Sequence, residues 1–284
     1  MGIKEQSNPF QLQTPKRHRI DPTPDAEDSQ TKYIHTANAM SAPPYNKLKY
    51  YTAGTPNGFK PAIVLEELGL PYEVREINFM TNEQKEAWFI EINPNGRIPA
   101  LKDSDDFRVF ESGAIMLYLT DMYDKERKIS YEYGTRDYYE ELSWLMFQMA
   151  GIGPMQGQAN HFRAMAPVYS EYAIKRFVDE TKRLYSVLEI RLSKADWLAG
   201  DKYTIADIAN YSWLKFSEIL EDIDFNEYPG VQRWMKRIAD REAVQRARKV
   251  PPSGRSDEEM KQWLKSMIAR VEALKGTNKD ESKM

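Results

Sequence analysis

The chain of 284 residues contains no cysteine, which excludes disulfides, thiolate metal sites and any nucleophile that is a thiol of the protein itself. Histidine is almost as scarce, since His18, His35 and His161 lie far apart in the sequence and predict no metal cluster. No apolar run approaches the ~20 residues that a membrane-spanning helix needs. The first residues also lack the apolar core of a signal peptide. These absences predict a cytoplasmic protein with no bound metal and no membrane contact.

A large excess of charge of one sign is also missing. Forty basic and 43 acidic residues give a net charge of −3, so nothing in the composition favours binding to nucleic acid or to an anionic membrane. The chain is 41% hydrophobic and 29% charged, as in ordinary globular proteins. A chain of this length corresponds to one large domain or two ordinary ones.

The first 46 residues are rich in Pro, Ser, Thr and Asp and carry no sustained apolar period. Such a segment buries too little surface to offset the entropy lost on ordering, so residues 1–46 are predicted to form a disordered tail. The basic residues 16–19 are typical either of a nuclear address or of a solvated tail, and the acidic residues that follow them favour the tail. Order is expected to begin at Leu48.

The next segment alternates short strands with helices. From residue 48 onward the pattern predicts a strand, a turn, a helix and a second strand. Pro61 is expected in the first turn of that helix, where proline is tolerated, and Gly69 is expected to end it. The further predicted elements are a helix over 81–92, strands over 98–101 and 107–110, and a helix capped by Ser112. The order is β-α-β, then a β-hairpin, then α. This order predicts a thioredoxin-like domain over residues 47–126.

Strand signals stop after about residue 132, and helical periods take over. Thr204 and Asp207 have the spacing of a capping box. An all-helical C-terminal domain is therefore predicted over 133–250. The segment 251–284 predicts one more amphipathic helix, from Ser256 to about residue 275, followed by a tail. The fold class is accordingly α/β plus all-α.

The turn Thr55-Pro56-Asn57-Gly58 precedes the first helix of the thioredoxin-like domain. A helix N-terminus carries free N–H groups and positive partial charge, and it therefore stabilises an anion such as a thiolate. A thioredoxin fold ordinarily has Cys-x-x-Cys here, so this protein is suited to stabilise a thiolate but not to supply one. The alternative is that Asn57 only caps the helix and Thr55 is a turn residue.

Two further elements suit a peptide ligand. Pro99 at a strand start is compatible with a cis Ile98–Pro99 bond, which would offer the backbone of Ile98 for pairing with an extended peptide. Glu111 and Ser112 lie where a strand ends and a helix starts. There Glu111 suits an ammonium and Ser112 with the helix amides suits a carboxylate, which together match an amino-acid head group. The alternatives are a common strand-start proline and an N-cap beside a solvated acid.

These elements occur in the order and spacing found in one family. The motifs are TPNGFKPAIVLEELGLPY, INPNGRIPAL, FESGAIMLYL, GIGPMQGQANHF, YAIKRF and WLAGDKYTIADIANYSW. They resemble those of glutathione transferases, most strongly the bacterial nu class and fungal enzymes similar to the yeast nitrogen-catabolite repressor. The resemblance covers roughly residues 48–250. The tail is not Asn/Gln-rich, so prion behaviour is not implied, and the last helix lies outside the resemblance.

The resemblance implies that glutathione is the co-substrate and assigns its contacts. The sulfur would meet Thr55 and Asn57, which are the expected catalytic residues. The remaining implied contacts are Arg97 and Ile98 for the cysteinyl backbone, Gln84 near the glycyl end, Glu111 and Ser112 for the γ-glutamyl head group, and Arg176 facing the ligand. A homodimer is also implied, with Tyr138, Tyr139, Trp144, Met146 and Met149 as interface candidates.

Two activities and one non-catalytic function remain open from the sequence. Nu-class relatives reduce disulfides with bound glutathione, and other relatives conjugate glutathione to electrophiles in detoxification or in fungal secondary-metabolite pathways. The small electrophile or disulfide is expected between the domains, near Phe147, Phe162 and Met165. The alternative to an enzyme is a glutathione-binding regulatory protein similar to the yeast repressor.

Overall fold

A single mixed β-sheet forms the centre of the N-terminal part of the chain. Its strands are β1 (Tyr33–His35), β2 (Leu48–Thr52), β3 (Tyr72–Glu76), β4 (Ala100–Lys102) and β5 (Arg108–Phe110), in the spatial order β1-β3-β2-β4-β5. Strands β2 and β3 are parallel and the other pairs are antiparallel. This confirms the predicted thioredoxin-like arrangement. The computed structural model describes residues 33–35, 48–104, 106–217, 223–252 and 257–275.

Strand β1 lies inside the segment 1–46 that was predicted to be disordered. It pairs antiparallel with β3, with Tyr33 opposite Val74 and His35 opposite Tyr72. The prediction was therefore wrong for these three residues, because backbone hydrogen bonding to the edge of β3 needs no apolar period in the added strand. The remainder of the predicted tail lies outside the described residues.

Helix α1 (Pro56–Glu67) follows β2 directly and lies against the sheet. Thr55 is its N-cap, and the Thr55 hydroxyl oxygen accepts a hydrogen bond from the Gly58 N–H at 3.1 Å. Pro56 occupies the first helical position, where no N–H is needed. A Cβ on Gly58 would collide with the Thr52 side chain and the Ala53 carbonyl, so only glycine fits this close approach. Pro61 was expected in the first turn but lies in the helix interior.

The helix predicted over 81–92 is shorter than expected. Residues Phe79–Thr81 and Glu83–Lys85 form separate 3₁₀ turns, and only α2 (Ala87–Ile92) is α-helical. The reason is local: Asn82 adopts a left-handed conformation with φ of 58°, and Glu86 is extended. Neither conformation continues an α-helix. Helix α3 (Ser112–Tyr123) follows β5.

The described part of the chain beyond α3 is helical, as predicted. Two π-helical segments, Gln148–Ile152 and His161–Met165, interrupt the first long helical stretch. The predicted capping box is present, since Asp207 accepts from the Thr204 N–H at 2.9 Å and Thr204 accepts from a helix amide in turn. The helices are α4 (Arg136–Phe147), α5 (Gly153–Asn160), α6 (Glu171–Leu192), α7 (Ile205–Leu214), α8 (Pro229–Ala239) and α9 (Glu242–Ala247).

One hydrophobic core joins the thioredoxin-like part to the helical part through α1. Helix α1 packs against α3 of the thioredoxin-like part and against α7 and α9 of the helical part. Ile63, Val64 and Leu65 are fully buried there, and burying each contributes roughly 1.5–3 kcal/mol. Salt bridges from α9 and the residue preceding it, Arg246–Glu66 at 2.7 Å and Arg241–Glu67 at 2.6 Å, reinforce the contact. The position of α1, and of any site at its N-terminus, is therefore fixed from both parts.

The last helix, α10 (Asp257–Glu272), packs back onto the helical part as expected. Leu264 lies against Ala164 of the second π-helical segment, and Val271 is 1% exposed. Arg270 donates a hydrogen bond to the Met165 carbonyl at 3.3 Å. Residues 276–284 lie outside the described residues. Within the described ranges no helix is both long and apolar enough to cross a bilayer.

Hydrogen exchange should show protected amides in α10, because the helix is packed onto the helical part of the protein. An isolated helix of this length is only marginally stable in water, so its amides would not be protected without that packing. A Leu264→Asp variant is expected to lose that protection, since it places a charge against the buried Ala164. The exposed Lys265→Asp change serves as the matched control and should leave protection intact. Fast exchange throughout 257–272 in the parent protein would contradict the packing.

Candidate functional site

A cavity of about 410 Å³ opens where the N-termini of α1 and α3 meet the loop before β4. Its size lies in the ~300–1,000 Å³ range typical of small-molecule sites. The π-helical segment after α4 closes one side. The lining residues are Asn57, Asn93, Asn95, Arg97, Ile98, Pro99, Glu111, Ser112 and Met149. Five of the eight residues predicted to bind or activate a ligand are among them.

Asn57 is the second residue of α1, and its side chain reaches the cavity. Thr55, and not Asn57, caps the helix, so the capping alternative for Asn57 is wrong. Because the Thr55 oxygen accepts from Gly58, the Thr55 hydroxyl proton remains available as a donor. The Asn57 Oδ1 atom accepts a hydrogen bond from Trp213 Nε1 at 3.0 Å. The N-terminus of α1 therefore presents two side-chain donors next to free helix amides, which suits an anion.

The loop from Asn93 to Pro99 forms the second wall. Asn93 is buried and bridges the loop, since its Nδ2 donates to the Arg97 carbonyl at 2.5 Å and its Oδ1 accepts from the Asn95 N–H at 3.0 Å. Gly96 has φ of 59° and completes the turn. The Ile98–Pro99 bond is cis, as the sequence suggested. Arg97 is exposed and lines the cavity, so a cation stands at its mouth.

The third wall is the start of α3. Glu111 occupies the N-cap position with φ of 70° and ψ of 120°, a conformation that non-glycine residues rarely adopt and that is common at ligand sites. The prediction that Ser112 caps the helix was wrong, because the unusual turn at Glu111 starts the helix one residue earlier. Ser112 is buried, with its hydroxyl 3.8 Å from the Met149 sulfur, and Asn95 Nδ2 lies 3.5 Å from Glu111 Oε1.

A fully buried lysine contacts Met149, one of the residues that line this cavity. Lys60 donates a hydrogen bond from Nζ to Gln148 Oε1 at 2.6 Å and lies 3.3 Å from the Met149 sulfur. Burial lowers the pKa of Lys60 to about 7, and the charge of Glu111 opposes part of that effect. An ammonium that titrates near neutral pH is therefore enclosed between α1 and the π-helical segment.

Three predicted residues do not line the cavity. Thr55 lies two residues before Asn57 at the cap, and Gln84 lies behind the loop, with its carbonyl against Gly96. Arg176 lies exposed on α6. Of the residues expected near a second substrate, Phe162 stacks on Phe177 with the two ring centroids 5.7 Å apart, and the Met165 side chain is 43% exposed. The ligand contacts assigned to all eight residues, including Gln84 and Arg176, stay predictions.

Sequence reasoning missed the lining residues Asn93, Asn95 and Met149, and it missed Lys60 and Trp213, which contact lining residues. The Asn-Pro-Asn-Gly motif predicted a turn, and it offered a signal for the two asparagines. Met149 and Trp213 offered none, because nothing local connects a methionine and a tryptophan on distant helices to a turn at residues 55–58.

The arrangement suits a zwitterionic peptide bearing an anionic group. Arg97, the two helix N-termini and the Asn57 amide attract negative charge, while Glu111 attracts an ammonium. Among the described residues that line the cavity there is no histidine, cysteine or tyrosine to serve as base or nucleophile. The described part of the chain also contains no group of three carboxylate or imidazole side chains placed to hold a metal ion.

The chain matches two family models, and together they cover both parts of the fold. Residues 46–121 match the glutathione S-transferase N-terminal domain, and residues 152–242 match the glutathione S-transferase C-terminal domain. All nine lining residues except Met149 fall within the first match.

Individual known proteins support this assignment. The disulfide-bond oxidoreductase YfcG of Escherichia coli is 39% identical over 203 residues, covering 69% of this chain and 92% of that protein. Protein URE2 of Candida albicans is 35% identical over 231 residues, covering 68% of this chain and 66% of that protein. A glutathione transferase homologue from Lodderomyces elongisporus, solved with two GSH per subunit, superposes with a TM-score of 0.71 at 44% identity, covering 73% of this chain and all of that one. The chain therefore belongs to the glutathione S-transferase family.

Proposed function

We propose that the chain binds glutathione in the cavity and stabilises its thiolate at Asn57 and Thr55 for attack on a disulfide or a small electrophile. The observation that carries the proposal is the convergence of Asn57, Ile98 and Glu111 on one cavity from three separate elements. The same positions carry the motifs that resemble glutathione transferases. The solved homologue with two GSH per subunit supports glutathione as the ligand.

The charges along the cavity fit glutathione in one orientation. The γ-glutamyl head group has an ammonium for Glu111 and a carboxylate for Ser112 with the amides of α3. Its cysteinyl backbone would pair with Ile98, and Arg97 would meet negative charge at the mouth. This orientation places the sulfur at the N-terminus of α1, next to the Asn57 amide. Gln84 and Arg176 do not line the cavity, and each would have to reach the bound glutathione from a neighbouring position.

The chemistry requires no nucleophile from the protein. The bound thiol loses its proton to solvent, and the thiolate attacks one sulfur of a disulfide. A new S–S bond forms to glutathione while the old one breaks, and the leaving thiolate takes a proton from water. A second glutathione then displaces the remaining thiol, so that two glutathiones are oxidised as one disulfide is reduced. With an aryl halide, the thiolate instead forms a C–S bond to the ring carbon while the carbon–halogen bond breaks and the halide ion leaves.

The named relatives favour different outcomes, so the activity must be assayed directly. Purified protein is tested in parallel with an aryl halide and with hydroxyethyl disulfide, each with glutathione, and Asn57→Ala is assayed beside the parent. We expect turnover of the disulfide, because the oxidoreductase YfcG shares 39% identity across most of its length. Turnover of the aryl halide alone would assign conjugation. Glutathione binding without turnover of either would assign a regulatory role, as for a URE2-like protein.

Glu111→Ala is expected to weaken glutathione binding by about 10- to 100-fold, because a hydrogen bond to a charged group contributes ~1.5–3 kcal/mol. Titration calorimetry measures the change. Glu111→Gln tests the charge without altering the side-chain shape. Glu91→Ala, an exposed glutamate on α2 outside the cavity, is the matched control and should bind as the parent does. Unchanged affinity in Glu111→Ala would remove the head-group assignment.

The protein is also proposed to form a homodimer through α3 and α4. Met122, Tyr139 and Met146 are between 46% and 51% exposed on these helices, an apolar exposure that favours burial against a second copy. Of the other predicted interface residues, Tyr138 and Trp144 are half-buried, and Met149 lines the cavity.

Light scattering at micromolar concentration should give about twice the 33.1 kDa mass of one chain. Met146→Glu should shift the mass toward one chain, because it puts a charge into the proposed interface. Ile190→Glu, at a residue of α6 that is 65% exposed, is the control and should leave the mass unchanged. A parent mass near that of one chain would contradict the dimer.

A further inference from the structure

The orientation of the Asn57 amide is set by a tryptophan from the helical part of the protein. An asparagine side chain has a donor end and an acceptor end that differ little in shape, so only its partners decide which end faces a ligand. The indole N–H of Trp213 is a donor and never an acceptor. Its 3.0 Å contact must therefore be to Asn57 Oδ1. The donor atom Nδ2 remains for the cavity that Asn57 lines.

The helical part holds Trp213 in place by contacts on two sides. A Cβ placed on Gly157 of α5 would lie 3.3 Å from Trp213 Cη2, so the absence of a side chain there makes room for the ring. Gln156, also on α5 and fully buried, donates from Nε2 to the Trp213 carbonyl at 2.9 Å. The hydroxyl of Tyr185 on α6 donates to Gln156 Oε1 at 2.9 Å. Burial raises the pKa of Tyr185 well above its usual range, so this hydroxyl stays a donor.

We propose that Trp213 is a positioning residue that holds the Asn57 amide with Nδ2 toward the bound sulfur, so that α5, α6 and α7 determine the donor the thiolate meets. Without the indole N–H, the amide is free to turn and to present Oδ1 to the sulfur, and an oxygen lone pair there repels a thiolate. The inference rests on the proposed function, because it needs Asn57 to stabilise the thiolate.

The test is Trp213→Phe, which keeps an aromatic ring and removes the N–H. The variant is expected to raise the pKa of the bound thiol, and a rise of one unit leaves tenfold less thiolate at neutral pH. Turnover at neutral pH is therefore expected to fall about threefold to tenfold. The KM for glutathione should change by less than about twofold, and the lost turnover should return as the pH rises. Ultraviolet absorbance of the bound thiolate measures its pKa directly. Arg97, Glu111 and the buried Lys60 are the charged groups around the cavity, and all are unchanged in the variant.

A double-mutant comparison separates positioning from general damage. Adding Trp213→Phe to Asn57→Ala should cause no further rise in the thiol pKa, because Trp213 acts only through the amide. Trp197→Phe is the matched control, since that ring lies 5.0 Å from the Arg237 guanidinium and does not line the cavity. If Trp213→Phe does not fold, benzothienylalanine at position 213 keeps the bicyclic shape and replaces only the N–H with sulfur.

The outcomes distinguish the two proposals. A raised thiol pKa in Asn57→Ala with an unchanged pKa in Trp213→Phe or in the benzothienylalanine protein would overturn the role of Trp213 alone. An unchanged thiol pKa in Asn57→Ala would overturn the proposed stabilisation by Asn57 itself. If the rise in the thiol pKa in the double variant equals the sum of the rises in the two single variants, Trp213 acts through the fold and not through the amide. That result would also overturn the inference.

Discussion

Asn57→Ala is expected to lower turnover at neutral pH by about 10- to 100-fold. If the amide donates one charge-assisted hydrogen bond worth ~1.5–3 kcal/mol to the thiolate, its loss raises the thiol pKa by about 1 to 2. The affinity for glutathione should fall less than in Glu111→Ala, because the head-group contacts remain. The lost activity should partly return at high pH, where hydroxide generates the thiolate that Asn57 no longer stabilises. A pH–rate profile measures both effects.

Thr55 provides the internal comparison for that result. Thr55→Ala removes a second donor but also the N-cap of α1, which on average contributes ~1 kcal/mol to stability. Thr55→Ser keeps the hydroxyl and the cap, so it should preserve both activity and stability. Thr55→Ala should show a milder rise in the thiol pKa than Asn57→Ala. An Asn57→Ala profile with the midpoint and height of the parent would overturn the assignment and make Arg176 the next candidate for the charge near the sulfur.

Lys60→Met is expected to change how the stability of the protein depends on pH. Lys60 has a pKa of about 7 in the folded protein and an ordinary value of 10.5 when exposed. The unfolded chain therefore binds this proton more tightly, and protonation favours unfolding. The contribution of Lys60 to stability falls as the pH drops from about 10.5 to about 7 and changes little below that. Replacement by methionine removes this dependence.

The expected size follows from the same two values. At ~1.4 kcal/mol per pKa unit, the parent should lose roughly 3 kcal/mol relative to Lys60→Met between pH 9 and pH 6. The variant also leaves Gln148 Oε1 without its donor, which costs about 1–3 kcal/mol but does not vary with pH. The difference between the two pH values is therefore the quantity to compare, from urea unfolding at one fixed protein concentration.

Lys175→Met is the matched control for Lys60. Lys175 is exposed on α6, where its ion pair with Asp179 is surrounded by water and contributes little. Its replacement should leave the pH dependence of unfolding as in the parent. A Lys60→Met protein whose stability relative to the parent is the same at pH 6 and pH 9 would show that Lys60 is not buried as an ammonium that titrates near neutral pH.

The local pattern of the chain was sufficient for much of the fold and for part of the site. Glycine and proline at residues 54–58, the strand alternation after them and the Thr204–Asp207 capping box each act within a few residues. Such signals predict where an element begins and ends. They failed at Asn82, where a left-handed residue splits the expected helix, and at β1, where the partner strand supplies the reason for order.

The sequence by itself determined that the protein supplies no thiol, that a turn with the chemistry to suit an anion precedes the first helix, and that Glu111 and Ser112 stand at a strand end. Only the tertiary structure decided which end of the Asn57 amide faces the cavity, because its partner Trp213 is 156 residues away. It also decided that Lys60 is buried, since Gln148 lies 88 residues further along the chain. Both depend on how helices of one part pack onto α1 of the other, and periodicity and turn chemistry carry no information about contacts at that distance.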